Sequence, residues 1–112
     1  MDTAVFDKKV HERNKAQGRK NFMAGMAFEF VVLAKEKKKA LFAIRSAGSH
    51  SLIDIMAVRS NETRLISVKK NGTWLQKEID DLVDLKDKIA EGHNVYLVYL
   101  DKESKKYTIE KL

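Results

Sequence analysis

Residues 49–70, SHSLIDIMAVRSNETRLISVKK, carry the densest chemistry in the chain. They read as two short strands, Ile53–Val58 and Arg64–Lys69, joined by a turn at Ser60-Asn61-Glu62. Strand side chains alternate between faces, so residues 54, 56 and 58 share one face and residues 65, 67 and 69 share one on the partner strand. A hairpin of this kind gathers Asp54, Ser67 and Lys69 around one pocket. An anionic metal ligand beside a lysine is the minimum equipment for metal-assisted phosphodiester hydrolysis.

Outside this stretch the chain is short and basic. Its 112 residues make one domain, and 22 Lys and Arg against 16 Asp and Glu give a net charge of +6. That balance favours an anionic partner, nucleic acid before membrane, because no run approaches the ~20 apolar residues of a bilayer span. A small module that binds an acidic protein is the blander reading. Cysteine is absent, which excludes disulfides and thiolate metal sites. The N-terminus has no apolar core of a signal peptide, so an intracellular setting is expected.

Residues 1–20 form a basic arm or short extra helix, with Lys8, Lys9, Arg13, Lys15, Arg19 and Lys20, and Gly18 in place to end it. The main domain, 21–112, opens with a helix over 21–38 that Asn21 can cap. Phe22, Met26, Phe30 and Leu33 recur at helical spacing and predict its buried stripe, and Glu29 lies on that stripe. A carboxylate there must be paired, hydrated or metal-linked. A strand at Leu41–Arg45 leads into a loop of small and hydroxyl residues, 46–51, able to sit against a phosphate. His50 has no second histidine at ligand spacing.

Beyond the hairpin, Asn71-Gly72 breaks the chain, and Thr73 is placed to cap a second helix over Trp74–Glu91, closed by Gly92. Leu75, Ile79, Leu82, Leu85 and Ile89 form its apolar stripe, with Glu78 at the border. Val95–Leu100 is apolar throughout, as a strand buried on both faces would be. Lys106–Glu110 alternates and suits an edge strand. The element order α-β-β-β-α-β-β predicts an α/β fold with a mixed sheet flanked by helices.

Taken in order, Gly25-Met26-Ala27-Phe28-Glu29, Ala43-Ile44-Arg45 with Gly48-Ser49, Ile53-Asp54-Ile55 and Val68-Lys69 resemble the archaeal Holliday junction resolvases of the PD-(D/E)xK nuclease superfamily. The resemblance runs from about Gly25 to Tyr99. It implies a restriction-endonuclease-like core and a dimeric, Mg²⁺-dependent endonuclease (Mn²⁺ as substitute) that cuts branched DNA in recombination and repair. It also implies that Asp54 binds metal, that Lys69 stands beside the attacking water, and that Glu29 helps bind metal. Arg45 and Ser49 match the residues near the scissile phosphate, and Lys70 an adjacent phosphate contact.

Two departures stand out. Ile53 replaces the proline before the aspartate. More seriously, Ser67 stands where the family has an acid two residues before the lysine, and a neutral hydroxyl is a poor Mg²⁺ ligand. A carboxylate from another element can take its place: Glu78 is the first candidate and Asp81 the second. The alternatives are an enzyme with metal ligands Glu29, Asp54 and Glu78, or a catalytically inactive nuclease-fold protein that binds DNA. The dimer interface is expected at Val95–Leu100 or at the N-terminal arm.

Overall fold

The structure, a computed structural model, describes residues 8–46 and 51–112, with side chains from Met23 onward. In chain order the elements are α1 (Lys8–Lys37), β1 (Phe42–Arg45), β2 (Ile55–Val58), β3 (Thr63–Val68), α2 (Gln76–Lys88), β4 (His93–Leu100) and β5 (Tyr107–Lys111). The expected α-β-β-β-α-β-β order and mixed sheet are therefore present. The strands lie side by side in sequence order, β1-β2-β3-β4-β5. Every neighbouring pair is antiparallel except β3 with β4. A parallel pair needs a crossover, and α2 supplies it.

The hairpin register aligns Ile55 with Ile66 and Val58 with Thr63. β2 begins two residues later than the alternation suggested and β3 is shifted one residue earlier, so Asp54 and Lys69 lie just outside them. The ladder continues through their backbones: Asp54 N–H donates to the Ile66 carbonyl at 2.9 Å, and Lys69 N–H to that of Val98 at 3.1 Å. Both residues thus sit at the fraying end of the sheet, where side chains are no longer held to one face. The chain then turns at Gly72, whose φ of +70° strains any L side chain and whose Cβ position lies only 3.1 Å from the Tyr99 ring.

β4 lies inside the sheet, between β3 and β5, and Val95, Tyr96, Leu97 and Val98 are all buried. This accounts for its unbroken apolar sequence. Being paired on both sides, it offers no dimer interface, contrary to expectation. β5 is an edge strand, as its alternation suggested.

Two apolar layers enclose the sheet. On one side Phe28 and Val32 of α1 pack on Ile55, Ile66, Val68, Tyr96 and Val98. On the other, Leu82 of α2 packs on Val95 and Leu97, with Leu65, Trp74, Ile79 and Leu85 around them. α2 runs three residues shorter at its C-terminal end than expected, and its N-cap is Leu75 rather than Thr73. The Thr73 N–H is held instead by the Asn71 side chain, at 3.1 Å. The Glu78 carboxylate reaches back to the Leu75 N–H at 2.9 Å and caps the helix.

α1 corrects two expectations. It is one helix through its 30 described residues, Lys8–Lys37, so Gly18 and Asn21 lie within it and not at helix ends. Its buried residues are Phe28, Val32 and Glu36, whereas Phe30, on the stripe expected to be buried, is half exposed. Residues 22–34 are apolar around most of the helix, so periodicity alone cannot choose the face. The sheet chooses the one carrying Glu29 and Glu36, because its arginines can neutralise them.

Glu36 is only 3% exposed. Arg59 Nη2 approaches both of its carboxylate oxygens, at 3.0 and 2.9 Å, and Arg64 Nη1 lies at 3.5 Å. Glu62 extends the network, accepting hydrogen bonds from Arg64 at 3.1 Å, Asn94 at 2.8 Å and the Tyr96 hydroxyl at 2.6 Å. Among the described residues no buried side-chain polar atom lacks a partner. This cluster pins the end of α1 to the hairpin turn, at the far end of the hairpin from Asp54.

Candidate active site

At the end of β2 and β3 where Asp54 and Lys69 sit, four elements converge. Asp54 Oδ2 accepts the Val68 N–H at 2.7 Å, which turns the carboxylate onto the neighbouring strand. The Asp54 carbonyl accepts the Ser46 N–H at 2.8 Å, tying in the end of β1. Burial pushes the Asp54 carboxyl up from 3.8 to about 6, and Glu29, within hydrogen-bonding reach, adds to the rise. The Val68 N–H and Lys69 pull the other way without cancelling it.

Glu29 reaches this point from α1, and Arg45 Nε donates to its Oε2 at 2.9 Å. The Arg45 guanidinium in turn lies 4.8 Å from the Phe30 ring centre. The helix glutamate, the strand aspartate, Lys69 and Arg45 are thus neighbours at this end of the sheet. Lys70 is exposed next to them. Ser49 and His50 lie outside the described residues.

Glu78, expected as a metal ligand, lies beside Lys69. Its Oε2 lies 3.0 Å from Lys69 Nζ, and its other oxygen caps α2. The cap first, and Lys69 after it, hold its carboxyl below the usual range despite partial burial. Of the carboxylates nearby, Glu29 acts on Asp54 and Glu78 does not. Asp81 is exposed on α2. Ser67 is buried and accepts a hydrogen bond from Trp74 Nε1 at 2.9 Å, so its hydroxyl is committed to the α2 side of the sheet.

Among the described residues no group of three or more histidines and carboxylates is spaced to hold a metal ion. The two-carboxylate set of Glu29 and Asp54 still fits Mg²⁺, which takes one or two protein carboxylates and completes its octahedron with water and phosphate oxygens. The raised Asp54 carboxyl is the matching observation.

Sequence reading missed the partners more than the site. The Trp74–Ser67 bond carries no periodic signal. Glu36 falls four residues after Val32 and seven after Glu29, a spacing that marks it for the same face.

Comparison with protein-family models, with curated proteins and with solved structures finds no match to this chain. Fold and site define an α/β domain whose sheet end gathers two carboxylates, a lysine and an arginine. Among the described residues, no helix is long and apolar enough to cross a membrane.

Proposed function

We propose that the chain is a Mg²⁺-dependent, structure-selective DNA endonuclease with a restriction-endonuclease-like core, acting on branched DNA as Holliday junction resolvases do. The observation that carries the reading is the Asp54–Glu29 carboxylate pair, flanked by Lys69 and Arg45. The +6 charge supports a polyanionic substrate.

Asp54 and Glu29 would hold the metal, Mn²⁺ serving in its place. When bound, it supplies Lewis acidity to a phosphoryl oxygen and acidity to a coordinated water. The Val68 N–H keeps the Asp54 carboxylate aimed while its charge changes. Lys69, held by Glu78, stands where it can orient the attacking water or balance charge developing on the phosphate. Arg45 fixes Glu29 and leaves part of its guanidinium for a phosphate. Contacts of this type read backbone and not bases, so DNA shape would set selectivity.

The second reading, an inactive DNA-binding relative, is favoured by two observations. Ser67 is sealed by Trp74, and Glu78 neutralises Lys69. A labelled four-way junction and a matched linear duplex, each incubated with Mg²⁺ or EDTA, separate the two. Paired, Mg²⁺-dependent nicks near the junction centre are expected. Salt-sensitive junction binding with no nicks in Mg²⁺ or Mn²⁺ would replace the enzyme with the binder.

A further inference from the structure

At the C-terminal end of β4, the segment 72–74, the turn at 101–103 and β5 border a cavity of about 480 Å³. Small-molecule sites span about 300–1,000 Å³. The inner wall is apolar. Leu97 is buried, and Trp74 and Tyr99 are half-buried. The two rings meet edge to face, with centroids 5.8 Å apart and planes 81° apart, and so form a corner. Both are pinned by their polar ends. Trp74 Nε1 donates to Ser67 Oγ at 2.9 Å, and the Tyr99 hydroxyl donates to Glu110 Oε1 at 3.1 Å. What the rings still offer a ligand is apolar surface and π electrons.

The rim is acidic although the chain carries +6. Asp101, Glu103 and Glu110 line it against a single lysine, Lys102. Asp101 is committed to its own turn, where Oδ2 accepts the N–H groups of Glu103 and Ser104. Glu103 is exposed, and Glu110, cross-strand from Leu97, has a second oxygen to offer. Elsewhere the chain places its own cations over its rings: Lys35 over Tyr107, Arg45 over Phe30 and Arg64 over Tyr96. Among the described residues no cation of the chain, Lys102 included, lies over Trp74 or Tyr99.

We infer that this cavity binds a small organic ammonium ion, with its charge beside Glu103 and Glu110 and its carbon body against Trp74, Tyr99 and Leu97. An anion, a phosphate included, would meet three carboxylates. A neutral apolar molecule would gain the rings and nothing from the rim. A bare metal ion would make no use of the aromatic wall, and the described carboxylates are not grouped to hold one. An organic cation gains from both, because ring faces attract positive charge and the carboxylates act at short range beside apolar groups. None of these residues belongs to the set of Asp54, Glu29, Lys69 and Arg45, so the inference does not rest on the nuclease reading.

Trp74 is the chain's only tryptophan, so the fluorescence of the full chain reports on this cavity. The probe is choline. Its control is dimethylbutanol, which has the same shape without the charge, and matched sodium chloride gives the baseline. Choline should shift or quench the emission saturably in the millimolar range, and the neutral alcohol should act at least tenfold more weakly. Glu110→Gln keeps an oxygen for the Tyr99 hydroxyl and removes one charge. It should weaken choline binding several-fold with an unchanged circular dichroism spectrum. Tyr99→Leu should abolish saturation. If that variant does not fold, Glu103→Gln combined with Glu110→Gln decides the matter by the same loss. A response to choline that does not saturate, or that dimethylbutanol matches, would overturn the inference. So would saturable quenching by a single-stranded oligonucleotide and not by choline, which would make Trp74 a platform for a base.

Discussion

Lys69 and Glu78 lie 3.0 Å apart, and the same glutamate caps α2. The carboxylate expected to replace the acid missing at Ser67 is therefore a partner of the lysine. The pairing sets the first prediction. Glu78→Gln keeps an oxygen for the Leu75 N–H but releases Lys69, so stability should barely change and DNA binding should tighten two- to threefold. Glu78→Ala loses the cap as well and should cost about 1 kcal/mol in urea denaturation. Cleavage should survive Glu78→Gln; its loss would return Glu78 to the metal.

Asp54 makes stability depend on pH. Its carboxyl titrates near 6 in the folded chain against an ordinary 3.8. Between about pH 4 and 6 the folded state binds the extra proton, so this group's contribution to stability falls as pH rises through that window and levels off above it. Asp54→Asn retains an oxygen for the Val68 N–H and removes the titration. Its Tm should exceed the parent's by a few degrees at pH 7, with the gap closing toward pH 4. Equal Tm values at pH 7 would contradict the assignment of the raised carboxyl.

A cation should relieve the same repulsion. Millimolar Mg²⁺ at pH 7 is expected to raise the parent's Tm by a few degrees, through binding to the folded state alone, and to leave Asp54→Asn unmoved. Below pH 5, where Asp54 holds its proton, the effect should fade. Differential scanning fluorimetry measures both without requiring any turnover.

Glu36 tests the scaffold separately from the site. Removing the buried partner of two arginines leaves charge unpaired, so Glu36→Ala should cost about 3 kcal/mol in urea denaturation. The Asp54 titration, at the other end of the hairpin, should shift little in any Glu36 variant that stays folded.

These positions also mark how far the sequence could be read. Element order was legible because each element has a distinct period or run: the alternation at 53–69, the unbroken Val95–Leu100, the 3.6-residue stripe at Leu75–Ile89. Asp54 and Lys69 could be placed together because alternation along paired strands constrains where such side chains go, whereas Glu29 and Arg45 joined them only through the family resemblance. The buried face of α1 was not legible. Both Met26–Phe30 and Phe28–Val32 obey the helical period, and the choice belongs to Arg45, Arg59 and Arg64 on the sheet. Likewise Glu78 at the border of α2 is compatible with a metal or a lysine, and only the tertiary placement of Lys69 decides. The helical turns before residue 21 escaped notice because Gly18 and Asn21 look like helix ends, yet neither stops the helix.

The most direct test of the account is cleavage of a four-way junction by Asp54→Asn beside the parent, with junction affinity measured in parallel. Loss of Mg²⁺-dependent nicking by at least a hundredfold, with affinity within about threefold of the parent, is the predicted result; each tenfold corresponds to about 1.4 kcal/mol of transition-state stabilisation. Undiminished nicking by Asp54→Asn would show that the Asp54–Glu29 pair is not the catalytic centre.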